Sequence, residues 1–364
     1  MTTVYFATNR NKKRDGSFGD RFNADGPHFY VVGRAEVTWN QTAPDGTVQD
    51  WDDYSISWDL APERRPKVQE AAETPETQIK VEIGGRLGSS VIFQELQDQI
   101  RAEGRDTLVY IHGFANDFEN SIARAAQLAE VYQVDRADNN GVQPHKPHVF
   151  AFSWPSNGMV QPPWQYASDR DDAALSGVAM ARSLRRFSDF LESGEPCRGR
   201  LHIVAHSMGN WALRHAVLGL RALYEGQQLP KLFDHAFLMA ADEDEDCLEF
   251  DGKLGLLPQL ARRIHVYHSG GDLALEVSDK TKFNMDRLGT DGPRTFSGIN
   301  NRVVAIDCTD VDSTSLTHGN HQYYRLRQEV IEDVRHVLSG RMPVDRIPHR
   351  QPVEPGRRYR LPTR

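Results

Sequence analysis

At its centre the chain reads Leu201-His202-Ile203-Val204-Ala205-His206-Ser207-Met208-Gly209-Asn210-Trp211-Ala212-Leu213-Arg214-His215-Ala216-Val217, three parts of different character. Leu201 to Ala205 is a short apolar run of the kind that forms a buried strand. The chain then breaks at a turn of small residues and resumes as an apolar helix-forming segment. A serine at the tip of such a strand–turn–helix unit occupies the position of a nucleophile elbow, G-x-S-x-G, with Ala205 here in place of the first glycine. Both flanking residues must be small because backbone crowds backbone on either side of the serine. The unit lifts the Ser207 hydroxyl above the strand ends and sets a helix N-terminus where negative charge would develop.

Outward from this unit, apolar runs alternate with helical patterns. Strands are expected at Val4–Thr8, Tyr30–Trp39, Thr107–His112, His148–Trp154, His235–Ala240, Arg263–His268 and Arg302–Asp307. Helices are expected near Ser89–Glu103, Phe118–Tyr132, Asp171–Leu191 and Gln322–Ser339. The first two strands have no helix between them and read as a hairpin-like edge. Beyond them, the strand–helix rhythm implies a mostly parallel, doubly wound sheet with helices on both faces. A polar excursion rich in Asp, Glu and Pro spans about 41–77, and 341–364 reads as an extended arm. The expected organisation is one domain over 1–340 plus that tail.

Composition excludes more than it identifies. Forty-three basic against 51 acidic residues give a net charge of −8, which argues against a nucleic-acid binder working through a basic field. No apolar run approaches the length of a membrane span, and the N-terminus lacks the charged-then-apolar layout of a signal peptide. Cys197, Cys247 and Cys308 are odd in number, widely spaced and without a CxxC, so they read as reduced cytoplasmic thiols rather than a disulfide or zinc framework.

In open α/β sheets chemistry gathers at the carboxyl ends of the strands, and the unusual polar clusters of this chain fall there. A serine hydroxyl needs a base within hydrogen-bond reach, and that base needs a carboxylate to fix its tautomer. Ser207, Asp272 and then His321 supply nucleophile, acid and base in the chain order of the elbow enzymes. His318 competes with His321 but precedes Gly319 in a more flexible segment. Asp242 is a minor alternative acid. The oxyanion hole needs two backbone N–H groups, assigned to Met208 after the nucleophile and to Phe114 in the His112-Gly113-Phe114 turn. Asn116-Asp117-Phe118-Glu119 reads as a helix cap closed by Glu119, and His112 as a packing residue. Trp154, Trp164 and Tyr166 form a candidate aromatic wall for an acyl chain. The run Asp242–Asp246 lacks the glycine and spacing of a calcium loop and reads as solvated, so no metal or cofactor is expected.

Together these residues give a family resemblance. Tyr5-Phe6-Ala7-Thr8-Asn9-Arg10, Tyr110-Ile111-His112-Gly113-Phe114 and Phe152-Ser153-Trp154-Pro155-Ser156 carry its first half. Ala205-His206-Ser207-Met208-Gly209-Asn210, Gly271-Asp272-Leu273-Ala274-Leu275 and Asn320-His321-Gln322-Tyr323-Tyr324 carry its second. The chain resembles the bacterial α/β-hydrolases of unassigned function that lie close to serine esterases and lipases. The resemblance implies an α/β-hydrolase fold with Ser207, Asp272 and His321 as nucleophile, acid and base. Two departures stand out: Ala241 meets Asp242 directly where the family carries a proline, and Asn320 replaces the glycine before the histidine. The expected activity is cleavage of a small-molecule or lipid-like carboxylic ester through an acyl-enzyme. Acyl transfer, thioester or amide hydrolysis on the same triad, and an inert binding module, are the alternatives.

Overall fold

The computed structural model describes residues 1–44, 46–60, 88–138, 141–158, 164–192, 199–275, 286–311 and 320–363. Residues 61–77 of the polar excursion, 159–163 of the aromatic segment, Cys197 and His318 lie outside them.

An 11-stranded sheet forms the centre. Its strands are β1 (Thr2–Thr8), β4 (Val31–Trp39), β5 (Tyr54–Leu60), β6 (Thr107–Ile111), β9 (His148–Ser153), β10 (Leu201–His206), β11 (Phe233–Met239), β12 (Ala261–His268), β13 (Val303–Asp307), β14 (Gln351–Glu354) and β15 (Arg358–Arg360). Two small hairpins lie outside it, β2 (Arg10–Lys12) with β3 (Phe18–Phe22), and β7 (Val134–Asp138) with β8 (Gly141–His145). The sheet order is β14-β15-β13-β12-β11-β10-β6-β9-β1-β4-β5. From β1 to β15 neighbouring strands run parallel, and β4, β5 and β14 add antiparallel edges.

The parallel strands are apolar on both faces because helices cover both. In β10, Ile203 and Ala205 pack into one core and Val204 into the other. Helices α1 (Gly88–Glu103), α4 (Gly177–Glu192) and α5 (Gly209–Leu223) supply the first core through Phe93, Leu184 and Leu213. Helices α2 (Phe118–Val131) and α6 (Gln328–Ser339) close the second through Ile122 and Val334. Each such side chain contributes about 1.5–3 kcal/mol by leaving water, so a charge at Val204 would break the second core.

Three expectations change. The Asp171–Leu191 helix is two helices, α3 (Trp164–Leu175) and α4. Ser176 Oγ donates back to the Asp172 carbonyl at 2.8 Å and accepts Asn9 Nδ2 at 3.0 Å, which ends α3 and lets Gly177 open the next helix. The cap of α2 is Asp117, accepting the Asn120 N–H at 2.7 Å, one residue later than the sequence pattern placed it. The C-terminal segment is not a free arm. β15 extends the sheet beside β13, and buried Arg350 grips Asp333 of α6 with Nε and Nη2, both at 2.8 Å.

Candidate active site

Ser207 stands between β10 and α5 at φ 53, a left-handed conformation that costs a non-glycine residue roughly 1–2 kcal/mol. Its surroundings hold it there. The Ser207 N–H donates to the Met239 carbonyl at 2.9 Å, and its own carbonyl accepts the Asn210 N–H at 3.0 Å and the Asp242 N–H at 3.2 Å. At Gly209 an added Cβ would come within 2.5 Å of the Ile111 carbonyl oxygen and 2.6 Å of the His112 one. Only glycine lets α5 start so close to the end of β6. At Gly113 a Cβ would meet the Ser207 Cβ at 2.8 Å, so the turn after β6 is pressed directly against the serine.

That turn carries Phe114, and α5 begins just after Met208. Neither of these two N–H groups has a protein acceptor among the described residues. Asn116 braces the turn from within, donating Nδ2 to the Gly113 and Phe114 carbonyls at 3.1 and 2.9 Å.

Asp272 and His321 come from distant loops and meet. His321 Nδ1 lies 2.7 Å from Asp272 Oδ2, with the aspartate 1% exposed and the histidine 9%. The other carboxylate oxygen, Oδ1, accepts the N–H groups of Ala274 and Leu275, both at 3.1 Å. Those two bonds orient the carboxylate so that Oδ2 faces the imidazole. Because carboxylate faces Nδ1, the proton sits there and Nε2 is left as the acceptor.

His206, adjacent to the serine, was not singled out by the sequence. Its Nε2 lies 3.0 Å from the His321 carbonyl, which can only accept, so Nε2 carries the proton. Its ring stacks on Tyr324 with centroids 4.4 Å apart. Burial drives its pKa well below the usual imidazole value and keeps it a neutral spacer between Ser207 and His321. Asn320 sits at φ 54 and donates Nδ2 to the Gly271 carbonyl at 3.3 Å. Asparagine tolerates the left-handed region, so its replacement of glycine preserves the turn and adds a tie to the acid's loop.

Two expectations need correction. Trp154 is fully buried, donates Nε1 to the His112 carbonyl at 2.9 Å and stacks on the His112 ring at 4.8 Å, so it belongs to the core. His112 is a packing residue, as its position implied, and burial pushes its pKa down to about 3. Trp164 is 70% exposed. Tyr166 alone of the three aromatics touches the site, with its ring 5.7 Å from that of Phe114 and its hydroxyl donating to Asp242.

The second correction concerns the acidic run, which is not solvated. Asp242 and Glu243 are 1% and 0% exposed. Asp242 faces Arg170 and Arg287, and Glu243 faces Arg214. Burial pushes the Glu243 carboxyl up to about 7. Asp242 is thus built into an ionic layer behind the elbow, while Asp272 is the carboxylate on the His321 imidazole. The missing proline before Asp242 is offset by Gly289, whose N–H ties the Ala241 carbonyl at 2.9 Å.

Cys247 and Cys308 are buried and free, in keeping with the reading of unpaired thiols, whereas Cys197 falls outside the described residues. Among the described residues, His, Cys, Asp and Glu side chains form no group of three placed to hold a metal. No described helix is long and apolar enough to cross a membrane.

Residues 91–341 match a family model described as alpha/beta hydrolase of unknown function (DUF900). Among curated proteins none matches the chain.

Proposed function

Because the chain belongs to this α/β-hydrolase family of unknown function, we propose that it is a serine hydrolase cleaving a carboxylic ester through an acyl-enzyme. The observation that carries the reading is the buried 2.7 Å contact of His321 Nδ1 with Asp272, set beside a serine held in left-handed backbone.

Ser207 Oγ attacks the ester carbonyl carbon as His321 Nε2 takes its proton, and Asp272 stabilises the imidazolium that results. The carbonyl π pair moves onto oxygen, where the Phe114 and Met208 N–H groups receive the charge. Collapse expels the alcohol, protonated by His321, and leaves the acyl group on Ser207. Water, activated by His321 in turn, attacks the acyl carbon and returns the serine. No step requires a metal or cofactor.

Labelling with a fluorophosphonate, followed by mapping of the adduct, tests the reading. The adduct is expected on Ser207. Ser207→Ala should fold normally and lose about several thousandfold in kcat/KM on a responsive ester, the residue coming from the oxyanion donors and binding. A folded Ser207→Ala protein retaining most of its esterase activity would remove Ser207 from the mechanism.

A further inference from the structure

Ala115, next to the proposed Phe114 donor, is held at φ 56. A non-glycine residue stays there only when its surroundings over-determine it. Two buried ions from outside the turn do so.

Asp169 of α3 is 2% exposed. Its carboxylate accepts the Ser156 hydroxyl at 2.5 Å and faces the backbone N–H groups of Asn157 and Ala115, which favour its charged form. Ser156 Oγ in turn accepts the Asn116 N–H at 3.2 Å. From the other side comes Arg10, 1% exposed. It donates Nη2 to the Asn116 carbonyl at 2.8 Å, Nη1 to the Ser156 carbonyl at 2.8 Å and the Gly19 carbonyl at 3.1 Å, and Nε to Ser153 Oγ at 2.9 Å.

The direct acceptors of Arg10 are all neutral, and burial pushes its pKa down to about 9. A buried cation with only distant carboxylates is costly, and an apolar residue of similar volume would fill the space more cheaply. What an apolar residue lacks is the planar fork that ties β9, the β2–β3 hairpin and the turn after β6 to one point. This gives the Thr8-Asn9-Arg10 and Ser153-Trp154-Pro155-Ser156 motifs a common purpose. Thr8 Oγ bonds the Ser153 carbonyl at 2.6 Å, and Asn9 Nδ2 bonds Ser176 at the end of α3.

We propose that Arg10 and Asp169 are positioning residues that hold the His112–Asp117 turn in its strained form, keeping the Phe114 N–H at the oxyanion beside Ser207. The proposal rests on the serine-hydrolase reading. Neither residue touches substrate. Their effect is to preserve a donor geometry whose complete loss in a hydrolase costs about 10²–10³ in kcat.

Asp169→Asn is the test, since it keeps the volume and removes a buried charge that desolvation already disfavours. Ser156→Ala, which deletes the hydroxyl between Asp169 and the Asn116 N–H while leaving both ions in place, is the second variant. Turnover of an ester is measured per site titrated with a fluorophosphonate, alongside Tm. Expected for Asp169→Asn is a loss of roughly 30-fold in kcat with KM changed less than about twofold, and a parallel slowing of Ser207 labelling. Ser156→Ala should lose roughly tenfold in the same way. Wild-type rates per titrated site in both variants would overturn the positioning role while leaving the hydrolase reading intact. A lowered Tm with unchanged kcat per titrated site would equally overturn it, reducing the network to a structural one. Failure of the native protein itself to label at Ser207 would overturn the hydrolase reading and this proposal with it.

Discussion

At the carboxyl ends of β6, β10 and β11 the backbone passes through Ala115, Ser207 and Ala240 at φ between 46 and 56. Towards the amino ends of β10 and β11 the backbone is regular, and the unusual feature is a row of histidines that continues to His265 in the middle of β12. His202 and His235 stack with ring centroids 5.3 Å apart, and His235 Nδ1 lies 3.0 Å from His265 Nε2. His202 also meets Asp106, 3.4 Å from Nε2, with Arg200 on the same carboxylate at 2.7 Å. One end stores strain in its backbone and the other stores protonation cost in its side chains. Activity should therefore respond to changes at the first end, and acid stability to changes at the second.

The largest effect should come from the base. His321→Ala is expected to abolish turnover and fluorophosphonate labelling together, because no other group would take the serine proton. His318→Ala should lose less than about tenfold, under about 1.4 kcal/mol in the barrier. An inactive His318 variant beside an active, folded His321 variant would transfer the base to the other loop.

The first of these two ends could largely be read from the sequence. The strands near the centre of the sheet are continuous apolar runs, and Ser207, Asp272 and His321 each follow one of them. The missed elements had weaker signals. β5 does alternate, with Tyr54, Ile56, Trp58 and Leu60 on one face, but it lies within an acidic excursion and its residues are only half buried. β14 is exposed at all four positions and has no apolar pattern to find. Burial of Asp242 and Glu243 was invisible because the arginines that compensate them, Arg170, Arg214 and Arg287, are remote in sequence. The same remoteness hid the part played by Arg10 and Asp169.

Acid stability probes the opposite end of the sheet. Burial lowers the pKa of His202, pushes that of His235 down to about 2 and drives that of His265 well below its usual value. All three resist protonation in the folded protein, whereas the unfolded chain takes up protons below about pH 6.5. Their stability contribution is therefore complete above that pH. It is lost as pH falls, with a slope of about 1.4 kcal/mol per pH unit for each histidine. Arg200, Arg263 and Arg350 disfavour the charged forms further, while Asp106 opposes them at His202 and His235. His265→Phe, stacking on Phe237 as the imidazole does at 5.1 Å, should remove about one proton from the uptake on unfolding between pH 6 and 4. Urea midpoints across that range measure it. The acid limb of kcat/KM should stay in place, and a shift there would mean that the two ends are coupled.

The smallest expected effect distinguishes a backbone device from a chemical one. Asn320 combines a left-handed conformation with an amide that ties the Gly271 carbonyl, so its two contributions separate by substitution. Asn320→Gly keeps the conformation and loses the tie. Asn320→Ala loses the tie and keeps a Cβ in the left-handed region without the polar group by which asparagine tolerates it, at a cost of roughly 1–2 kcal/mol. If Asn320 serves mainly to turn the chain into His321, the glycine variant should stay within about 1 kcal/mol of the native stability, because relief of strain offsets the added freedom of the unfolded chain. Its kcat/KM should fall less than about fivefold. The alanine variant should be the less stable of the two. Equal and large losses of kcat/KM in both, with stability unchanged, would instead place the weight on the amide's hold over Gly271, making the coupling of the acid's loop to the base's loop the critical element.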